Sequence, residues 1–465
     1  MAERQGLTRR EFLRRAGTLA AGVAGAAALG GCAQPTPQVV EKETIVTKEV
    51  EKLVEKVVTA TPAPQKTELT FFNWASAEEA TRKNIEEMIA KFEGDNPGVT
   101  IKNVQYGFGD IQSQVLIAIT AGNAPDIAQC STNMPFELAA MGALEPLNGY
   151  MSQAYLADSF QSSLDAGSYD GSVYAVPWTI THHAFWYNKK LMEKLGLDPT
   201  KPPKTIDELN AASEKAKAQN VYGMGLDTTK RQYALFHQWP FMLTFNGGED
   251  PLKDNKPNFT SDGLKAYYEW LRFYVKEKLY SPPAPAILRE FRQFAAQETE
   301  IFAFDGTYYK GIVQSLNEAL KDDQVFYDTW AVTGIPTQNS DPLTVFEAHQ
   351  LEMFKACQNK EMAWKFIEFM TSDPLVCEKY MIPLGAVPPL KSLAEQFKDA
   401  YNNPIHNAYI NEISPTARPM PFGPKYASAA EFIMPAMQEV VATDKPIDQI
   451  LERLQENLLI VFPQA

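Results

Sequence analysis

Beyond residue 66, the chain alternates between two patterns of apolar positions. Leu69 and Phe71 alternate with polar residues, which predicts a strand. Between residues 85 and 92 an apolar side chain recurs every three or four positions, which predicts a helix with one buried face. The two patterns repeat at 99–101, 111–119 and 127–128. Strands that alternate with helices in this way predict an α/β protein with a largely parallel sheet.

Later elements follow from turn and capping signals. Asp170-Gly171, between short apolar runs, predicts a β-hairpin. Thr205 with Glu208 three positions later predicts a capping box that opens a helix. The remaining patterns predict a strand at 222–226 and helices at 262–277, 359–371 and 427–460.

Residues 1–32 combine the parts of an export signal. The pair Arg9-Arg10 precedes an apolar run from residue 16 to 29, and small residues lead to Cys32. This run is shorter than the roughly 20 residues that span a bilayer. The order of these parts resembles a twin-arginine signal joined to a lipoprotein signal, with Cys32 as the lipid acceptor. The alternative is a poorly ordered or amphipathic N-terminus.

Residues 33–66 are predicted to form a tether. Prolines bracket a Glu, Lys and Val stretch without any glycine or aromatic residue, so this segment has little with which to build a core. The composition predicts a solvated spacer between the membrane and the folded part. The apolar spacing between residues 46 and 57 also fits a short coiled-coil seam, so self-association is the alternative.

Composition narrows the possible functions. With 45% hydrophobic and 22% charged residues the chain is globular, and its length suits two domains. A formal charge of −14 argues against binding to nucleic acid or anionic lipid. Three cysteines follow Cys32, an odd number that prevents complete pairing, although Cys357 and Cys377 could pair. No Cys/His cluster has metal-ligand spacing, so neither a metal nor a cofactor is predicted.

Several short motifs recur in one order across the chain. They lie at 120–126, 174–178, 187–191, 202–205, 304–308 and 383–387. In this order they resemble the extracellular solute-binding proteins of ABC transporters, the family that includes the maltose-binding proteins. Where members often carry a glycine-rich stretch, this chain has the bulkier, polar run from Glu347 to Gln350.

The resemblance implies the two-lobed periplasmic-binding-protein fold of type II, with a hinge and a ligand cleft between the lobes. It places lobe 1 at 67–178 plus 331–382, and lobe 2 at 183–330 plus 383–465. Such a protein closes when it binds its ligand.

A neutral sugar is bound by flat aromatic rings and planar polar groups. Asn73 and Trp74 follow the first strand and are predicted at the rim of the cleft, although Trp74 could instead pack under its own helix. The glycine break after residues 301–304 is predicted to present a ring near Asp305. The resemblance adds further candidate positions: Asn133, Trp178, Thr181, His183, Tyr233, Phe236, Tyr308, Glu347 and His349.

These features predict the binding lipoprotein of an ABC importer, with a di- or oligosaccharide as ligand and a membrane permease as partner. It would be exported and held by lipid on the outer face of the cytoplasmic membrane. The chain has no phosphate-binding loop, nucleophile elbow or H-E-x-x-H motif, so an enzyme is not predicted. The alternatives are a binding protein for a glycerol-phosphate-type polyol or another anion, using Arg231, Arg289 or Arg292, and an exported glycoside hydrolase.

Overall fold

The computed structural model describes residues 66–277, 280–282 and 291–464. The predicted signal, the tether up to residue 65 and Arg289 lie outside them. In the described part the strands are β1 (Thr67–Asn73), β2 (Val99–Gln105), β3 (Ile127–Ser131), β4 (Ser168–Tyr169), β5 (Ser172–Val173), β6 (Ala175–His182), β7 (Ala184–Asn188), β8 (Tyr222–Gly225), β9 (Leu252–Lys253), β10 (Lys256–Pro257), β11 (Glu300–Asp305), β12 (Trp330–Thr333), β13 (Thr344–Met353) and β14 (Ala417–Arg418).

The helices occupy the stretches between these strands and the end of the described chain. They are α1 (Glu79–Asp95), α2 (Ile111–Thr120), α3 (Met134–Ala140), α4 (Gln153–Asp158), α5 (Gln161–Ala166), α6 (Lys189–Lys194), α7 (Ile206–Lys217), α8 (Ala234–Phe245), α9 (Asp262–Lys276), α10 (Phe291–Ala296), α11 (Tyr309–Leu316), α12 (Asp323–Thr329), α13 (Lys360–Ser372), α14 (Pro374–Val376), α15 (Lys391–Gln396), α16 (Lys398–Tyr401), α17 (Pro404–Ala408), α18 (Tyr426–Ala442) and α19 (Ile447–Val461). Short 3-10 or π turns lie at Glu318–Leu320, Cys377–Met381, Tyr409–Ile413, Ser414–Thr416 and Gly423–Lys425.

Two larger sheets organise the described residues. In the first, the order is β14-β13-β3-β1-β2, and β6 also pairs with β13. Strands β1, β2 and β3 are parallel, whereas β13 runs antiparallel to both β3 and β6. In the second, the order is β12-β7-β11-β8, with β8 and β11 parallel and β7 antiparallel to its neighbours. The predicted parallel strands are confirmed, but antiparallel strands complete each sheet.

Each sheet is covered on both faces because neighbouring side chains of a strand point in opposite directions. In β1, Phe71 belongs to the core that contains α1 and α13, while Phe72 belongs to the core under α2. In β7, Phe185 packs with α8 and α9, while Trp186 packs with α12. Two buried faces per sheet make two α/β lobes, as predicted.

The chain crosses between the sheets at defined points. Strand β6 of the first sheet is separated from β7 of the second by His183 alone, and the connection from β12 to β13 leads back. The side chains of Ile335, Leu343 and Val345, which follow β12 in the chain, pack in a core of the second sheet. Tyr401 still packs in a first-sheet core, whereas residue 405 packs in a second-sheet one. The predicted lobe boundaries at 331 and 383 lie earlier in the chain than these changes of core.

Local signals in the sequence are realised in the structure. The capping box is present, with Thr205 accepting from the Glu208 backbone and Glu208 accepting from the Thr205 backbone. Asp170 and Gly171 both have positive φ, as the tight turn between β4 and β5 requires. Cys130, Cys357 and Cys377 are buried and unpaired. None of the helices in the described residues is both long and apolar enough to cross a membrane.

Candidate functional site

A cavity of about 390 Å³ opens beside the segments that connect the two sheets. Both lobes line it, because Trp74 and Phe108 follow strands of the first sheet, whereas Tyr233 and Tyr308 belong to the second lobe. Five of the predicted site residues line this cavity: Trp74, Tyr233, Tyr308, Glu347 and His349. The volume lies in the range of small-molecule sites.

Aromatic rings form a continuous wall across the cavity. The Trp74 and Phe108 rings meet edge to face with centroids 5.3 Å apart. Phe108 in turn meets Tyr233 of the other lobe at 5.0 Å and 87°, and His349 lies 5.0 Å from Trp74. Because these rings pack against one another, their positions are fixed before a ligand binds. They present flat apolar faces to it.

Tyr308 reaches the cavity because Gly306 has no side chain. Strand β11 ends at Asp305, and a Cβ atom on Gly306 would lie 2.5 Å from Cε1 of the Tyr308 ring. The ring therefore occupies the space that any other residue at 306 would fill. The predicted break after residues 301–304 and the presented ring are both found.

Asp305 does not line the cavity, but it forms an ion pair with Arg292, which does. Its carboxylate accepts two hydrogen bonds from Arg292, at 2.6 and 2.9 Å, and one from the Gly306 amide at 2.8 Å. Burial pushes the pKa of Asp305 up, but the Arg292 charge and hydrogen bonds pull it down further, so it stays below its usual value. The Arg292 guanidinium lies 5.2 Å from the centre of the Tyr308 ring and so supports it.

Glu347 lies at the centre of a buried polar cluster. Its Oε2 lies within hydrogen-bonding distance of the hydroxyls of Tyr233 at 3.2 Å, Tyr308 at 3.5 Å and Thr181 at 3.4 Å. The two tyrosine hydroxyls are also hydrogen-bonded to each other. Burial raises the pKa of Glu347 to about 7, although the hydrogen bonds from Tyr233 and Thr181 oppose the shift. A carboxyl on the strand that crosses between lobes is thus poised to gain or lose a proton near neutral pH.

Histidines flank this carboxylate without a short contact. Nε2 of His183 lies 3.9 Å from Oε2, and Nε2 of His349 lies 3.9 Å from Oε1. The pKa of His183 is held well below its usual value, first by burial and then by the nearby His237. His183 is therefore neutral near pH 7, and it does not neutralise Glu347.

The other predicted residues lie behind the lining. Asn73 donates to Asn103 at 2.6 Å and accepts from the Ser76 amide at 2.8 Å, so it shapes the loop that carries Trp74. The Trp178 ring packs on Tyr380 at 4.2 Å, and Tyr380 lines the cavity.

Three further predicted residues are also buried outside the lining. Phe236 belongs to the core of the second lobe and packs against His183. Thr181 donates to Glu347, as described above, and so acts beneath it. Asn133 precedes α3 and makes no side-chain cap there.

Several residues that line the cavity were not predicted from the sequence: Glu78, Phe108, Lys310, Asp323 and Tyr380. Phe108 carried a usable signal, because it stands between two glycines just past the predicted second strand. Arg292 was predicted only for an anion site, yet it lines the cavity with its charge already matched by Asp305.

Folding also brings together three potential metal-binding side chains that lie far apart in the sequence and were not predicted to be neighbours. Ligand atoms of His183, His237 and Asp305 lie within 4.8 Å of one another, and all three residues are buried. These side chains are of types that bind transition metals. However, Arg292 occupies both oxygens of Asp305, and its positive charge opposes a cation there.

Known proteins resemble this chain over most of its length. A Brucella abortus (strain 2308) protein named only as a binding protein is 25% identical over 375 residues, 79% of this chain and 87% of that protein. The maltotriose-binding protein of Pyrococcus abyssi is 24% identical over 359 residues, 75% of this chain and 73% of that protein. The structure of an ABC transporter solute-binding protein from Thermotoga lettingae, bound with alpha-D-tagatose, matches with a TM-score of 0.76 at 23% identity. It covers 85% of this chain and 100% of that one.

The similarity to the Thermotoga structure confirms the predicted type II, two-lobed periplasmic-binding-protein fold. Residues 87–408 match the family described as bacterial extracellular solute-binding protein. This match spans more than half of the sequence, and the chain therefore belongs to the bacterial extracellular solute-binding proteins.

Proposed function

We propose that this protein is the substrate-binding lipoprotein of an ABC importer, and that it captures a di- or oligosaccharide between its lobes for a membrane permease. The observation that carries the proposal is the aromatic wall of Trp74, Phe108, Tyr233 and Tyr308 around a cavity lined by both lobes. Sugars present C–H faces that pack on such rings, and hydroxyl edges that bond to groups such as Glu347 and His349.

The charges of the lining support a carbohydrate rather than an anion. Among the relatives, one is named as a maltotriose-binding protein and the Thermotoga structure holds a sugar, whereas others that match 40% of the chain are named as sn-glycerol-3-phosphate-binding proteins. An anionic polyol needs a positive charge that is free to pair with it. In the described lining, Arg292 already pairs with Asp305, and Lys310 pairs with Asp323 at 2.8 Å. A neutral or positively charged ligand fits this lining better than a phosphate.

A sugar screen tests the proposal, and Trp74→Ala is the informative variant. Titration calorimetry with mono-, di- and oligosaccharides is expected to find at least one ligand. Trp74→Ala is expected to weaken its binding by about 1–3 kcal/mol, because a buried aromatic contact is lost. Phe273→Ala removes a ring that is 45% exposed on α9 and serves as the matched control.

The same titrations distinguish the alternatives. Binding of glycerol phosphate without any sugar would favour the anion alternative. Recovery of a cleaved ligand would favour the hydrolase. A sugar that binds Trp74→Ala as tightly as the parent would contradict a role for the aromatic wall.

Lipid anchoring is the second testable part of the proposal, and it is supported by the small residues that lead to Cys32. Cys32→Ser is expected to abolish labelling by a radioactive fatty acid and to release or misprocess the exported protein. Labelling and membrane association equal to those of the parent would contradict the lipoprotein. A Cys130→Ser variant is the control, because Cys130 is buried in the folded part.

A further inference from the structure

Glu347 is a carboxylate of the described cavity lining, and it lies among groups that do not carry a matching positive charge. Arg292 is bound by Asp305, and Lys310 by Asp323, so the two basic side chains in the described part of the lining are neutralised locally. Within the described residues, Glu347 forms no ion pair with a lysine or an arginine. The histidine nitrogens that approach it lie 3.9 Å away.

Hydrogen bonds from the protein only partly satisfy this carboxylate. The Tyr233 and Tyr308 hydroxyls bond to each other, and that bond uses one of their two protons. One tyrosine proton therefore remains for Oε2 of Glu347, together with the hydroxyl of Thr181. Oε1 has no hydrogen-bond partner among the residues that the structure describes. A buried carboxylate with an unused oxygen is costly unless a ligand supplies the missing donor or charge.

We propose that the ligand carries a protonated amine that binds Glu347, which makes the captured carbohydrate an amino sugar. The inference rests on the proposed sugar-binding function and names the class of sugar. Trp74, Phe108, Tyr233 and Tyr308 surround the same cavity, and aromatic faces stabilise an ammonium group as well as a sugar ring. An ammonium supplies both the charge that the protein lacks there and donors for Oε1.

The protonation of Glu347 gives the proposal a distinct pH dependence. The titratable and polar groups around it are Tyr233, Tyr308, Thr181, His183, His349 and Tyr426, and the Arg292–Asp305 pair lies beyond them. Its pKa of about 7 means that an ammonium must displace a proton when it binds below that pH. Amine affinity should fall roughly tenfold for each pH unit below the pKa.

The test compares sugars that differ only at carbon 2. Glucose, glucosamine and N-acetylglucosamine form one set; cellobiose, the glucosamine dimer and the N-acetylglucosamine dimer form another. In calorimetry at pH 7, we expect each amine to bind at least about tenfold more tightly than its hydroxyl and acetylated counterparts. Titrations in two buffers of different ionisation enthalpy should show proton release with the amines alone. This readout uses the unaltered protein.

Glu347→Gln provides the matched variant, because the substitution keeps the shape and removes the charge. We expect it to weaken binding of the amines at least about tenfold more than it weakens binding of the neutral sugars. Glu352→Gln, on the same strand but outside the cavity lining, should change neither.

Two other outcomes separate the inference from the proposed function. Neutral sugars that bind as tightly as the amines, without proton release, would overturn the amine inference and leave the sugar-binding proposal intact. If no sugar of either kind binds, the sugar-binding function fails and the inference fails with it.

Discussion

Replacing Arg292 by alanine is expected to lower the free energy of unfolding by about 3–5 kcal/mol, because the substitution leaves the buried carboxylate of Asp305 without its partner. Both side chains are almost completely buried, and two hydrogen bonds join them. Chemical denaturation at neutral pH measures the effect. The double variant Arg292→Ala/Asp305→Ala should lose less than the sum of the two single variants, because no unpaired charge remains.

Lys310→Ala is the control for this prediction. Lys310 and Asp323 form an ion pair in the same cavity lining, but Asp323 is 58% exposed. Exposed pairs contribute about 0–1 kcal/mol, so this variant should be close to the parent. Equal losses for Arg292→Ala and Lys310→Ala would show that the buried pair is not a stabilising centre.

Glu352→Gln is expected to stabilise the protein at alkaline pH and to have little effect near pH 4. Glu352 is buried in β13, beside Cys130 of β3, and burial raises its pKa to about 8. Between its ordinary pKa of 4.5 and about 8, the folded state retains a proton that the unfolded state loses. The stability of the parent therefore falls as pH rises through this window, by up to about 5 kcal/mol.

Denaturation curves at pH 4, 6, 8 and 9 would measure this difference between parent and variant. Glu361→Gln, on the exposed side of α13, is the control and should follow the parent at every pH. Glu347→Gln should show the same sign, but its effect should be complete near pH 7 because the pKa of Glu347 is about 7. A difference between Glu352→Gln and the parent that stays constant with pH would contradict the shifted pKa.

Much of the fold could be predicted from local pattern. The alternation around Leu69 and Phe71 predicts β1, and the periodic apolar face from 85 to 92 predicts α1, because burial of one face selects the period of each element. The capping box at Thr205 and the turn at Asp170 act within a few residues, so the sequence alone shows them. What the local pattern missed was the antiparallel role of β13, whose partners in β3 and β6 lie far away in the chain.

Only part of the candidate site could be predicted from the local sequence pattern. Trp74 and Tyr308 stand at the ends of predicted strands, where this class of fold places its ligands, and both line the cavity. Asp305 stands at such an end too, yet it turns away to hold Arg292. Nothing in the order of residues distinguishes an acid that faces a cleft from one that holds a neighbouring cation.

The sequence by itself determined the main strands and helices and the aromatic residues available for a cleft, because these follow from periodicity and from residue type. The two-lobed class came from the resemblance of its motifs to a known family. Tertiary structure alone decided the chemistry of the cleft. It brings Glu347 within hydrogen-bonding distance of Tyr233, which is 114 positions away, and of Tyr308, and it commits Arg292 to Asp305. Proton affinity and charge balance depend on burial and on neighbours across space, and the folded chain is what sets both.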